Sequence, residues 1–175
     1  MRARRVRGFT LIELLVTVAL IAIVLAIGLP NFQQAIRSNR VATAANELMA
    51  AIALARSEAM REKGGGHVCA SRDGTGCGGD WSDGWIVWTD RNRDDSPSSD
   101  EVLRYVRGPD QIAVAAGASG GSANAFKFDL RGRIEDAASR DFTLQPRECA
   151  LGAEQVRSIR LAVTGQIRME RRKCQ

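Results

Sequence analysis

The 175-residue chain carries 25 lysines and arginines against 20 aspartates and glutamates, with four cysteines and one histidine. That length fits one modest globular domain plus a long additional element and excludes two full domains. The basicity sits at the two ends: Arg2, Arg4, Arg5 and Arg7 crowd the start, residues 9–156 hold more acidic than basic groups, and beyond them six cations from Arg157 to Lys173 meet only Glu170.

Residues 1–8 read MRARRVRG, and residues 9–29 read FTLIELLVTVALIAIVLAIGL, an apolar run whose one charge is Glu13. A helix of this length spans ~31 Å at ~1.5 Å per residue, which matches the ~30 Å hydrocarbon core of a bilayer. Arginines before it hold that end in the cytoplasm, so the remainder faces the periplasm. The apolar run is long and no small-residue cleavage site follows it, which argues against an ordinary secretory signal. A plain single-pass anchor leaves Glu13 unexplained, because a carboxylate near the start of a membrane helix costs ~2–3 kcal/mol and marks a function with a partner.

Pro30 removes one backbone donor and predicts a kink without ending the helix. Beyond it Val41, Ala45, Leu48, Ile52, Ala55 and Ala59 recur at spacings of four and three, one face of an amphipathic helix, and Gly64, Gly65 and Gly66 stop it. Short β-type runs follow at 85–88, 102–106, 126–128 and 142–144, then at 159–169 with a turn inside. Loops rich in Gly, Ser and Asp separate them at 73–84, 92–100 and 117–124. The chain therefore divides into a leader at 1–8, a membrane or filament-core helix at 9–29, an amphipathic second half at 30–63 and a β-rich domain at 64–175 with a basic tail. The fold class is α+β: a long N-terminal α-helix, kinked near Pro30, packed on two small antiparallel β-sheets.

Four cysteines in an exported chain read as two disulfides, and local pairing of Cys69 with Cys77 and of Cys149 with Cys174 is favoured. The spacing of Cys69 and Cys77 is too wide for a zinc ribbon, and no cofactor is expected. His67 reads as an isolated, exposed histidine, and no serine or cysteine lies in a nucleophile context, so the chain reads as non-enzymatic. Asp90, Asn92, Asp94 and Glu101 occupy positions 1, 3, 5 and 12 of a calcium-loop pattern, but Asp95 stands where glycine is wanted, and a polar hairpin loop is the preferred reading. At the end of the chain, pairing Val163 with Ile167 and Leu161 with Met169 turns all four inward around a three-residue loop with a positive φ at or beside Gly165. Arg160 then faces Glu170, leaving Arg168, Arg171, Arg172 and Lys173 as a cationic cluster suited to phosphate contacts. The absence of aromatic residues there points to duplex backbone rather than stacked bases.

Arg7, Gly8, Phe9, Thr10, Leu11, Ile12 and Glu13 resemble the start of type IV pilins and type II secretion pseudopilins. The segments A-R-S-E-A at 55–59, the run 85–88 with Asp90, and F-D-L-R-G-R at 128–133 resemble the GspH/FimT-type minor pilins. The resemblance implies a type IV pilin-like fold, cleavage between Gly8 and Phe9 by a prepilin peptidase, and methylation of the Phe9 amine. It further implies that Glu13 pairs with the N-terminal amine of a neighbouring subunit, and that the partners are other pilins in a filament reached from the inner membrane. FimT-type members are associated with DNA capture in natural transformation through a C-terminal G-R-x-R motif, which Gly165, Gln166, Ile167 and Arg168 match with Gln166 in place of the first arginine. Two functions follow: a purely structural secretion pseudopilin, or a filament subunit that also binds double-stranded DNA.

Overall fold

The computed structural model describes residues 9–61 and 65–175, apart from the side chains of Pro30 and Asn31. Gly8, Lys63 and Gly64 lie outside the described residues, and the helix runs through Pro30 without a break, as expected. The chain forms two compact units, divided after Ile36. One helix, α1 (Leu11–Arg61), begins in the first and continues into the second.

In the first unit, Thr10 caps α1 by accepting a hydrogen bond from the Glu13 amide at 3.2 Å. Glu13 thus occupies the third helical position, where a carboxylate complements the unpaired amides and the positive end of the helix dipole. The large apolar side chains from Leu11 to Leu29 are all at least half exposed.

From Arg37 onward the helix has an inside. Val41, Ala45, Leu48, Ile52, Ala55 and Ala59 are fully buried, joined by Ala44 and Ala51. They share one core with inward-facing residues of both sheets, including Val68, Trp85, Phe128, Phe142, Leu144, Ile159 and Leu161. Small side chains on this face let the backbones approach closely: a Cβ added at Gly66 would lie 1.7 Å from the Ala55 carbonyl oxygen. Gly66 therefore belongs to the first strand, while the described part of the helix ends at Arg61.

The strands are β1 (Gly66–Ala70), β2 (Gly84–Trp88), β3 (Val102–Arg107), β4 (Ile112–Ala118), β5 (Ala125–Phe128), β6 (Arg140–Pro146), β7 (Val156–Leu161) and β8 (Ile167–Arg172). They form two four-stranded antiparallel sheets, ordered β3-β2-β1-β5 and β4-β6-β7-β8. Every residue of β1 and β2 is buried. One face of these strands meets the main core, and the other carries a small cluster of Cys69, Ile86 and Trp88. Trp81, from the β1–β2 connection, donates to the Ala123 carbonyl and packs edge-on against Phe142 and beside Phe126, so it joins the two sheets.

The closing hairpin is two residues out of the expected register. Leu161 pairs with Ile167 and Ile159 with Met169, leaving a five-residue loop at 162–166. A shift of two preserves the side-chain faces. The reason lies in the loop's neighbours: Val163 spends its carbonyl on the Ile134 amide, and the Arg56 guanidinium on α1 donates to the Gly132, Gly165 and Thr164 carbonyls at 3.0, 3.2 and 3.5 Å. Val163 is consequently only partly buried in the loop, and Met169 on the edge strand is 43% exposed rather than inward.

Gly165 has a φ of +79°, and a Cβ there would come within 2.3 Å of the Gly132 carbonyl oxygen; Gly152 has a φ of +80° with nothing within 4 Å. In urea unfolding, Gly152→Ala should cost about 1 kcal/mol from the left-handed backbone alone. Gly165→Ala should cost about 3 kcal/mol, because Arg56 and the 128–134 loop must also move.

Candidate functional site

Strand β8 forms one edge of its sheet and alternates by two, so the tail cations do not form a single cluster. Arg168 and Arg172 project to the face away from α1, with Glu170 between them and Arg160 and Ser158 beside them on β7. Arg171 points the other way, opposite Arg157, and Lys173 follows the strand. The expected opposition of Arg160 and Glu170 is replaced by Arg160 opposite Arg168 and Glu170 opposite Ser158. Arg160 is held instead by Asp141 on β6 at 2.7 Å, a contact that raises its pKa, and Glu170 binds Arg172 at 3.2 Å. Arg168 has no ion pair among the described residues. Ser158, Arg160, Arg168, Glu170 and Arg172 line a cavity of about 100 Å³.

On the opposite face Arg157 is 4% exposed and faces no carboxylate at ion-pair distance among the described residues. It donates to the Val156 carbonyl at 3.2 Å and to the Ser38 hydroxyl of α1 at 3.3 Å. Burial, and after it the charge of Arg171, lowers its pKa from the ordinary guanidinium value.

The cysteines are bonded as Cys69–Cys77 and Cys149–Cys174, each with Cα atoms 5.6 Å apart. The second bond fastens the end of β8 to the turn after β6. The Gly152 amide donates to the Cys174 carbonyl, and the Cys174 amide to the Ala153 carbonyl.

The four calcium-pattern residues serve another end. Asp90 accepts from the Asp94 and Asp95 amides at 3.1 and 3.2 Å. Glu101, 2% exposed, accepts from the amides of Arg91, Asn92 and Ser98 and from the Ser98 hydroxyl. Asn92 and Asp94 bond each other. The carboxylates are thus turned onto backbone donors, and no group of acidic, histidine or cysteine side chains among the described residues is arranged to hold a metal. His67 departs from expectation too: it is 8% exposed and stacks on Trp88 with ring centroids 4.0 Å apart. Its neighbour across the sheet, on β2, supplies the aromatic surface that spacing along the chain does not reveal.

Two arginines have structural roles that sequence reasoning missed. Arg56 rivets two loops to α1, as above. Arg140, fully buried, binds Asp136 and the Ala138 carbonyl and lies over the Phe126 ring. Its phase is a visible signal, since Arg140 alternates with Phe142 and Leu144 on the inward face of β6.

A capped apolar helix continuing into an α+β unit of two antiparallel sheets defines the type IV pilin-like class. Residues 44–166 match the family model of the type II transport protein GspH, and residues 3–29 match the prokaryotic N-terminal methylation motif. The chain therefore belongs to the GspH family, among the minor pilins and pseudopilins. The crystal structure of the type IV minor pilin FimU from Pseudomonas aeruginosa is similar with a TM-score of 0.57 at 22% identity, over 75% of this chain and 89% of that one. The minor pseudopilin EpsH from the type 2 secretion system of Vibrio cholerae gives 0.52 at 12% identity, over 75% and 97%. These likenesses carry the fold alone. A comparison with curated proteins finds no significant match.

The Ser98 hydroxyl, opposed in part by burial and aided by the backbone amides, holds the Glu101 carboxyl below its usual value of 4.5. A lowered folded pKa contributes stability above the unfolded value, and that stability is lost as pH falls through the folded one. Glu101→Gln should therefore lower the urea midpoint at pH 7, and the gap to wild type should narrow on acidification below about 4.5. Added calcium should leave the thermal midpoint of the wild-type chain unchanged.

Proposed function

We propose that this chain is a non-enzymatic minor subunit of a type IV pilus or type II secretion pseudopilus. In this reading a prepilin peptidase cuts between Gly8 and Phe9 and methylates Phe9. Residues 9–29 hold the subunit in the inner membrane with residues 64–175 in the periplasm, and α1 then carries it into the filament. The observation that carries the reading is the exposed apolar surface of α1 together with a single carboxylate, Glu13, in its first turn. Such a surface needs an apolar environment, and lipid and a bundle of like helices both supply one.

Glu13 does two things that can be separated. Its place three residues after Thr10 suits a helix cap, and its charge suits an amine on a neighbouring Phe9. The amide that donates to Thr10 belongs to the backbone and survives either substitution; Glu13→Gln removes the charge alone, whereas Glu13→Ala removes the polar side-chain atoms as well. Both variants should insert and be processed normally, and both should be depleted from filaments several-fold in a pull-down of assembled subunits. Normal incorporation of Glu13→Gln would contradict the charge pairing.

A second reading, binding of double-stranded DNA without sequence preference, is supported by Arg168 facing Arg160 across the hairpin with no carboxylate of its own among the described residues. Like charges directly opposite weaken a strand pair, and a phosphate placed between them relieves the repulsion. The full chain in detergent should retain duplex DNA weakly, and replacing Arg160, Arg168 and Arg172 by Gln should lower the salt slope of log K by about 2.7, as for three lost phosphate contacts. An unchanged slope would leave the purely structural pseudopilin.

A further inference from the structure

The end of the globular unit that begins at Arg37 carries a feature distinct from the β8 outer face. Leu151 is 85% exposed at the tip of a turn held on three sides. The Cys149–Cys174 bond closes its base, the Gly152 amide donates to the Cys174 carbonyl at 3.1 Å, and the Ala153 amide donates to the Ala150 carbonyl at 3.0 Å. A scattered exposed leucine needs no explanation, but this one lies on a turn tied to the end of β8, with cations on the adjoining segments. Lys173 precedes Cys174, Arg171 faces Arg157 next to Ser38, and Arg37 reaches Glu148 at 3.4 Å. Arg40 lines a cavity of about 180 Å³ with Arg37, Pro146 and Glu148, and Arg147 is exposed beside it. The acids near these cations include Asp83, Asp110, Glu148 and Glu154; Glu148 is engaged by Arg37, and Asp83, which feels the charge of Arg147, is engaged by Arg72.

We infer that this end docks on an anionic phospholipid surface, with Leu151 entering the acyl boundary and Arg40, Arg147, Arg171 and Lys173 meeting the headgroup phosphates. An exposed apolar residue flanked by long cationic side chains suits a membrane interface, where the stems lie along lipid and the charges reach phosphate. Chain connectivity tethers this end to the anchor, since only seven residues lie between Leu29 and Arg37. A duplex offers the phosphates but no apolar phase for Leu151. The inference rests on residues 9–29 being membrane-anchored, and the test separates the two.

The full chain would be reconstituted into vesicles of phosphatidylcholine, with and without phosphatidylglycerol, doped with lipid brominated along its acyl chains. Leu151→Trp reports contact by quenching, and Leu130→Trp is the control: the loop bearing Leu130 is held by Arg56, ~29 Å along α1 from Arg37. Leu151→Trp should be quenched several-fold more than Leu130→Trp in the phosphatidylglycerol vesicles. Replacing Arg40, Arg147, Arg171 and Lys173 by Gln should abolish the difference, and so should high salt with those four residues intact. Equal quenching at the two positions in a chain that co-floats with vesicles would overturn the docking and leave anchoring untouched. A chain that fails to co-float would remove the anchoring and the docking with it. Retained quenching in the Gln variant, with loss of duplex DNA retention, would assign these cations to DNA and overturn the inference.

Discussion

The close approach of β1 to α1 sets the dimensions of the globular unit. With Gly66 against the Ala55 carbonyl, neither backbone can retreat without opening the core behind Val68, and neither can bear a larger side chain at the crossing. The alanines of α1 are what make the approach possible. Once it is made, Leu48 and Ile52 join a core shared with both sheets, and Arg56, one residue beyond the crossing, comes within hydrogen-bonding distance of two loops 33 residues apart in sequence, at Gly132 and Gly165. Packing density in such a core leaves little slack, so the register of the last hairpin is decided here rather than within the hairpin itself.

What was legible in the sequence follows from this. The buried face of α1 could be read because helical periodicity is a local signal, and its six expected residues are all fully buried. The two-sheet α+β fold was also legible, with strands β2, β3, β5 and β6 and the closing pair placed near their observed positions. Strands β1 and β4 were not. The first is a five-residue segment adjoining the glycine run, and the second, IAVAAGA, is rich in alanine and glycine, which have low strand preference. Both owe their pairing to neighbours distant in sequence.

The site residues divide the same way. Alternation along β8 was available to show that Arg168 and Arg172 part company with Arg171, but the register that puts Arg160 opposite Arg168 depends on Ile134 claiming the Val163 carbonyl. Asp90 and Glu101 turn onto amides of their own loop, in keeping with the preferred reading of a polar hairpin loop, a direction that spacing along the chain does not carry. His67 was misjudged for a related reason, since burial of β1 on both faces comes from the sheet and from the loop closed by Cys69 and Cys77.

The bond between Cys149 and Cys174 also has a mechanical consequence. It spans a sequence separation of 25 residues, and that interval contains both β7 and β8. Any pull transmitted along the backbone through these two positions crosses by way of sulfur and bypasses the intervening hairpin. The strands carrying the exposed arginines therefore keep their register under load, whatever happens to the hydrogen-bonded segments in series with them.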